Sequence, residues 1–137
     1  MRATKTSALH EAGHAVAAVR LGLRFRVVTA LKNAGQIIAE PGHETRWLNG
    51  RDAAVMLLSG VAAEMIFMHR GFHTACMCQD SDIQQASRAC DGPAMMSALD
   101  LVRKNRRSVI AVAGALRRKG CLLESDVIDL IEIERKD

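Results

Sequence analysis

Aromatic side chains make up only 3% of this chain, and tyrosine is absent. A core must therefore be filled by Leu, Ile, Val, Ala and Met, side chains that are small or flexible. Such residues pack well between helices, whereas the faces of a β-sandwich favour aromatic and β-branched residues. With 137 residues, 49% of them hydrophobic and 25% charged, the chain has a globular balance and the length of a single domain over 1–137. The expected fold class is mainly α (α+β).

The pattern along the chain refines this. Leu9, Ala12, Val16, Val19 and Leu23 recur at steps of three and four, the apolar stripe of a helix. Thr6 or Ser7 can cap its start, and Gly22 is placed to end it in a left-handed conformation. Phe25, Val27, Thr29 and Leu31 then alternate with Arg24, Arg26 and Val28, a strand period. Asn33-Ala34-Gly35 supplies a turn, and 36–39 returns as a second strand before Pro41-Gly42. A small β-hairpin is thus predicted directly after the first helix. Residues 51–69 are apolar on most sides and predict a buried central helix closed by Gly71, followed by a loop over 72–80. Ser81 with Gln84 three residues later is a capping-box signature for another helix. Gly92-Pro93 breaks that helix, one long basic helix runs to about 119 with Gly120 as its stop, and Ser125 caps a final short helix.

The formal net charge is +4, with basic residues gathered at Arg103, Lys104, Arg106 and Arg107 and again at Arg117, Arg118 and Lys119. On helices these read as a solvated face, and without interleaved aromatics no nucleic-acid partner is expected. The longest apolar stretch, 53–68, is interrupted by Ser59, Gly60 and Glu64 and falls short of the roughly 20 residues a membrane span needs. No membrane span is expected. Residues 1–9 lack the apolar run of a secretory signal, so Cys76, Cys78, Cys90 and Cys121 are expected as reduced thiols in a cytoplasmic protein.

The chemistry lies in His10-Glu11-Ala12-Gly13-His14, an H-E-x-x-H pattern inside the first helix. Residues four apart on a helix differ by about 40° around the axis and about 6 Å along it, so both imidazoles reach one ion. Neutral imidazole is a good zinc ligand, which makes His10 and His14 candidate ligands of Zn2+. Glu11 projects beside the ion as a general base that takes a proton from the activated water and passes it to the leaving amine. Ala12 and Gly13 leave room there for a substrate or a second helix. A catalytic zinc needs a third protein ligand. Asp82, in the first turn of a capped helix, and Glu64, a lone acid in an apolar helix, are both candidates, and spacing leaves the choice open.

Several segments carry a family resemblance, in order and over most of the chain. The run from His10 to Val16 resembles the opening of the peptidase domain in the FtsH-type (M41) family of ATP-dependent zinc proteases. Leu58-Ser-Gly-Val-Ala-Ala-Glu-Met-Ile-Phe67 is similar to that family's Gly-Gly-Arg-x-Ala-Glu-Glu-Ile helix, with Val61 and Met65 in place of its Arg and second Glu. Ser81-Asp-Ile-Gln-Gln-Ala86 resembles the segment that supplies the family's third zinc ligand, which implies Asp82 in that role. Residues 115–127 resemble the closing helix and turn. The resemblance implies a helical peptidase domain with a small hairpin whose edge strand, here 25–31, lines up a peptide. It also implies a zinc metalloendopeptidase acting on unfolded or flexible polypeptides. No G-x-x-x-x-G-K-[ST] phosphate loop is present, so the expectation is a stand-alone peptidase domain, with a separate ATPase or a homo-oligomer as further partners. The alternative is a zinc-containing binding or regulatory module with little activity of its own.

A second constellation, His69, His73, Cys76 and Cys78, has residue types suited to a metal, but its C-x-C lacks the usual two-residue gap. These read as loop residues with reduced thiols.

Overall fold

The structure, a computed structural model, describes residues 3–32, 34–69 and 94–136. It is mainly helical with a small three-stranded antiparallel sheet. In chain order the elements are α1 (Lys5–Leu21), β1 (Phe25–Ala30), β2 (Gly35–Ala39), α2 (Glu44–Leu48), α3 (Gly50–Phe67), α4 (Ala94–Lys104), α5 (Arg106–Lys119), β3 (Cys121–Leu123) and α6 (Glu124–Lys136).

Helix α1 is capped by Thr4, whose Oγ1 accepts the Ser7 amide at 3.0 Å. The cap thus falls earlier than Thr6 or Ser7. The Ser7 hydroxyl is used elsewhere, donating to the Ala34 carbonyl at 3.1 Å and tying α1 to the start of β2. Gly22 ends the helix with φ 73°, as its position predicts. Every residue from Ala8 to Ala18 is buried, not a single stripe. The reason is position: α1 packs against α3, α5, α6 and the sheet. Its alanines keep the cylinder thin enough for all of them to approach.

Helix α3 matches the predicted buried helix and is buried from Ala53 to Glu64. It meets α1 at a point with no room for side chains. A Cβ on Gly13 would lie 2.4 Å from the Ser59 carbonyl oxygen and 3.0 Å from the Ala63 Cβ. Gly13 therefore makes room for a second helix, and α1 and α3 touch backbone to backbone.

The sheet order is β2-β1-β3. The predicted hairpin is present, but β1 is central, which corrects the expectation that 25–31 forms an edge. The sequence pattern gave no sign of β3, a strand of three residues. Its register, Val27 with Leu123 and Thr29 with Cys121, follows from Gly120, whose φ of 81° turns the chain and whose carbonyl accepts the Ala30 amide at 2.9 Å. The face of β1 also differs from simple alternation. Phe25, Val28 and Ala30 are the buried residues, while Leu31 is exposed. A register shift between Phe25 and Val27 inserts one extra residue, so side chains three apart point the same way. Glu124 holds that irregular start, accepting from Arg24 Nε at 2.8 Å and from the Phe25 amide at 3.1 Å. Trp47, on the unanticipated helix α2, donates its indole N–H to the Arg24 carbonyl at 2.9 Å.

The long basic helix is two helices. Asn105 interrupts it at φ −115°, ψ 25°. Its Nδ2 donates to the Leu101 carbonyl at 2.8 Å, a local bond that competes with helix continuation. The last helix is longer than expected and does not use Ser125 as its cap. Asp126 instead reaches back to accept the Leu123 amide at 3.0 Å. No helix among the described residues is long and apolar enough to cross a membrane.

The α1–α3 contact yields a prediction with a definite sign. In a free helix, Gly→Ala is favourable by about 0.8–1.0 kcal/mol. At residue 13 the new methyl meets backbone, so Gly13→Ala is expected to lose about 1–3 kcal/mol in urea unfolding. A gain in stability would contradict the contact.

Candidate metal centre

The helical spacing of His10 and His14 brings their rings together in a T-shaped pair, centroids 4.6 Å apart. Their Nε2 atoms face each other at 3.0 Å. Each ring is held from its other nitrogen by α3. His10 Nδ1 lies 2.7 Å from Glu64 Oε2, and His14 Nδ1 lies 3.0 Å from the Met56 carbonyl oxygen. A carbonyl oxygen can only accept, so His14 Nδ1 carries the proton and donates. A carboxylate accepts in the same way from His10 Nδ1. The His14 proton is thereby set on Nδ1, and the Nε2 atoms of the two rings are turned toward one another.

Two lone pairs at 3.0 Å repel unless a cation or a shared proton stands between them. The local packing is compatible with a cation. A Cβ on Gly60 would lie 2.6 Å from His14 Nε2 and 2.7 Å from His10 Nε2, so this bare helix position keeps the space before both nitrogens clear. The outer partners also match the chemistry of metal-binding histidines, which donate their second N–H to a carboxylate or backbone carbonyl. Among the described residues, His10, Glu11 and His14 form a group whose ligand atoms lie within 4.8 Å of one another and could hold a metal ion.

His10, Glu11, His14 and Glu64 are each no more than 5% exposed. Side chains so polar remain buried only with hydrogen-bonded or ionic partners, or a metal. Glu11 lies against the sheet. A Cβ on Gly35 would sit 2.5 Å from Glu11 Cγ and 2.8 Å from Cδ, so the first residue of β2 must be bare for the carboxyl to fit.

Of the two candidates for the third ligand, Glu64 takes the Nδ1 side of His10, away from the facing nitrogens. Asp82 lies outside the described residues, as do His73, Cys76, Cys78 and Cys90. His69 is exposed, just beyond α3. Cys121 is a free, exposed thiol. Sequence reasoning missed the Met56 carbonyl, which no side-chain pattern can reveal. It also missed Gly35 and Gly60. An unbroken helical pattern with a glycine at its centre was the available signal for Gly60, since glycine costs about 1 kcal/mol there relative to alanine.

No model of a known protein family matches the chain, and no curated protein matches it.

Two variants separate the space before the imidazoles from the groups behind them. Gly60→Ala is expected to abolish divalent-metal binding while keeping the helical circular dichroism, because the methyl enters the space between the Nε2 atoms. Glu64→Gln keeps an acceptor for His10 but removes the carboxylate charge, and should weaken metal affinity about 10- to 100-fold in a chelator competition. Unchanged affinity in both variants would contradict the assignment.

Proposed function

We propose that this chain is a zinc-dependent metalloendopeptidase that hydrolyses peptide bonds in unfolded or flexible polypeptides. The observation that carries this reading is the pair of His10 and His14 Nε2 atoms facing each other at 3.0 Å, with the Glu11 carboxyl in the same buried cluster. His10 and His14 would hold the metal, with Asp82 as the third ligand. The resemblance to the FtsH-type zinc proteases supports zinc over other divalent ions, as does the imidazole donor set. Zinc bound there supplies Lewis acidity that polarises a carbonyl and makes water a stronger nucleophile at neutral pH.

The chain's own groups do the rest. A Glu11 carboxylate oxygen takes the proton of the attacking water and returns it to the departing amine nitrogen, a transfer that burial strengthens by excluding bulk solvent. Glu64 and the Met56 carbonyl orient the two imidazoles, so that the nitrogens are fixed before substrate arrives. With β1 internal, β2 is the strand at the edge of the sheet on the Glu11 side. An extended polypeptide paired with β2 would pass the Gly35 end, where the Glu11 carboxyl sits.

The near-complete burial of His10, Glu11 and His14 favours one second reading, a zinc-containing binding or regulatory module. Turnover of unfolded casein decides between them. The peptidase reading expects cleavage by the zinc-loaded protein and a fall of about 100- to 10,000-fold in Glu11→Gln with zinc content unchanged. Equal turnover in that variant would sink the mechanism. Zinc retained with no cleavage by either protein would establish the module.

A further inference from the structure

Helices α1 and α5 run antiparallel. Arg20, near the end of α1, donates to Asn105 at the start of α5. At the opposite end, Thr4 and Gly120 both bond to the close of β1, through the Lys32 carbonyl and the Ala30 amide. Between the two helices lies a groove of about 300 Å³, to which none of the metal-centre residues contributes. Its body is apolar, formed by Leu9, Phe67, Ile110, Ala113 and Gly114. Lys5 and Arg117 complete the lining, and the antiparallel pairing puts both cations toward the same end.

The fold itself gives no reason for Gly114. A glycine inside a helix is destabilising relative to alanine. Gly13 and Gly60 are required by close neighbours, whereas a Cβ on Gly114 would meet only Arg118 Nη1, at an ordinary contact distance of 3.4 Å. Its bareness widens the groove instead of admitting another helix. Ile110, one turn away, is 53% exposed, a large apolar side chain left at the groove. Lys5 is equally unaccounted for. It stands in the first turn of α1, where the helix dipole disfavours a cation and no acid offsets it. Neither Lys5 nor Arg117 is ion-paired among the described residues.

The complementary occupant is apolar along its length and anionic at one end. An extended polypeptide would leave its backbone N–H and C=O groups unmatched against this lining. A docked helix would need an apolar stripe longer than the groove, and α5 beyond it exposes Arg106, Arg107, Arg118 and Lys119. A saturated acyl chain has no polar group along its length, and its carboxylate matches the paired cations. The volume is at the small end for ligand sites, which limits the length of the tail.

We propose that this groove binds a medium-chain fatty acid, with the acyl chain against Leu9, Ile110 and Gly114 and the carboxylate held by Lys5 and Arg117.

Calorimetric titration of the full chain with octanoate, decanoate, decanol and a helical Leu/Glu peptide tests this. Decanoate should bind at one site per chain. Octanoate should bind about tenfold more weakly, since each buried methylene strengthens binding about fourfold. Decanol lacks the charge and should bind about three- to tenfold more weakly than decanoate. Lys5→Gln with Arg117→Gln should bring decanoate down to the level of decanol. Gly114→Leu should weaken decanoate by more than about tenfold while keeping the helical circular dichroism, because leucine favours a helix and meets open space there. Lys119→Gln removes a charge outside the groove and should leave affinity unchanged. Absence of decanoate binding, equal binding of decanol, undiminished binding in Gly114→Leu, or equal weakening by Lys119→Gln would each overturn the proposal. So would tighter binding of the peptide, which assigns the groove to a partner helix, or a dimer that Gly114→Leu dissociates, which assigns it to a second copy.

Discussion

The backbone contact between α1 and α3 is the constraint on which the rest of this molecule depends. Gly13 lets the two helices meet with a carbonyl oxygen where a side chain would normally be. That closeness brings Met56, Gly60 and Glu64, spaced four apart on one face of α3, against His10 and His14 on α1. One row of α3 therefore supplies a carbonyl acceptor, a bare position and a carboxylate. Were the helices separated by an ordinary pair of side chains, the imidazoles would have no partners, and burying them would be unfavourable.

From this contact follows a division of labour. The outer nitrogens of both rings are fixed by α3, which sets the tautomers and leaves the inner nitrogens opposed. Two ring nitrogens facing each other inside a protein need a shared proton or a cation, so the packing that fixes the rings also makes a place that could hold a metal ion. The sheet closes the other side. Gly35 allows Glu11 to lie against β2, and Ser7 ties α1 to the neighbouring Ala34 carbonyl. Glu124 and Trp47 anchor the start of β1 from two further helices, so the strand beside the histidine-bearing helix is held at its irregular end.

How much of this was legible in the sequence depended on whether the relevant interaction was local. Helix α1, its glycine stop, the hairpin and the buried α3 each follow from periodicity and turn residues that act within a few positions. The histidine pair was legible for the same reason, because a four-residue spacing on a helix is local geometry. Features set by distant partners were not. β3 is too short to announce itself and exists because β1 offers it a ladder. The inward face of β1 could not be read from alternation, because the bulge near Arg26 is stabilised by Glu124, a residue far along the chain. Periodicity shows only one apolar stripe on α1, although the helix is buried all round from Ala8 to Ala18, because alanine counts weakly in a stripe yet packs on every side. Asn105 could have been recognised as a break, since its side chain competes locally with the helix. At the metal centre the two histidines and Glu11 were legible, whereas the α3 groups behind and between the rings became visible only with the helices docked.

The claim that the two imidazoles are pre-set to receive one metal ion through Nε2 is tested most directly by imidazole nitrogen-15 NMR during a zinc titration. The account predicts that the Nε2 signals of both His10 and His14 move together and saturate at one zinc per chain, while both Nδ1 atoms stay protonated against Glu64 and the Met56 carbonyl. Coordination through Nδ1, or a response from only one of the two histidines, would contradict it.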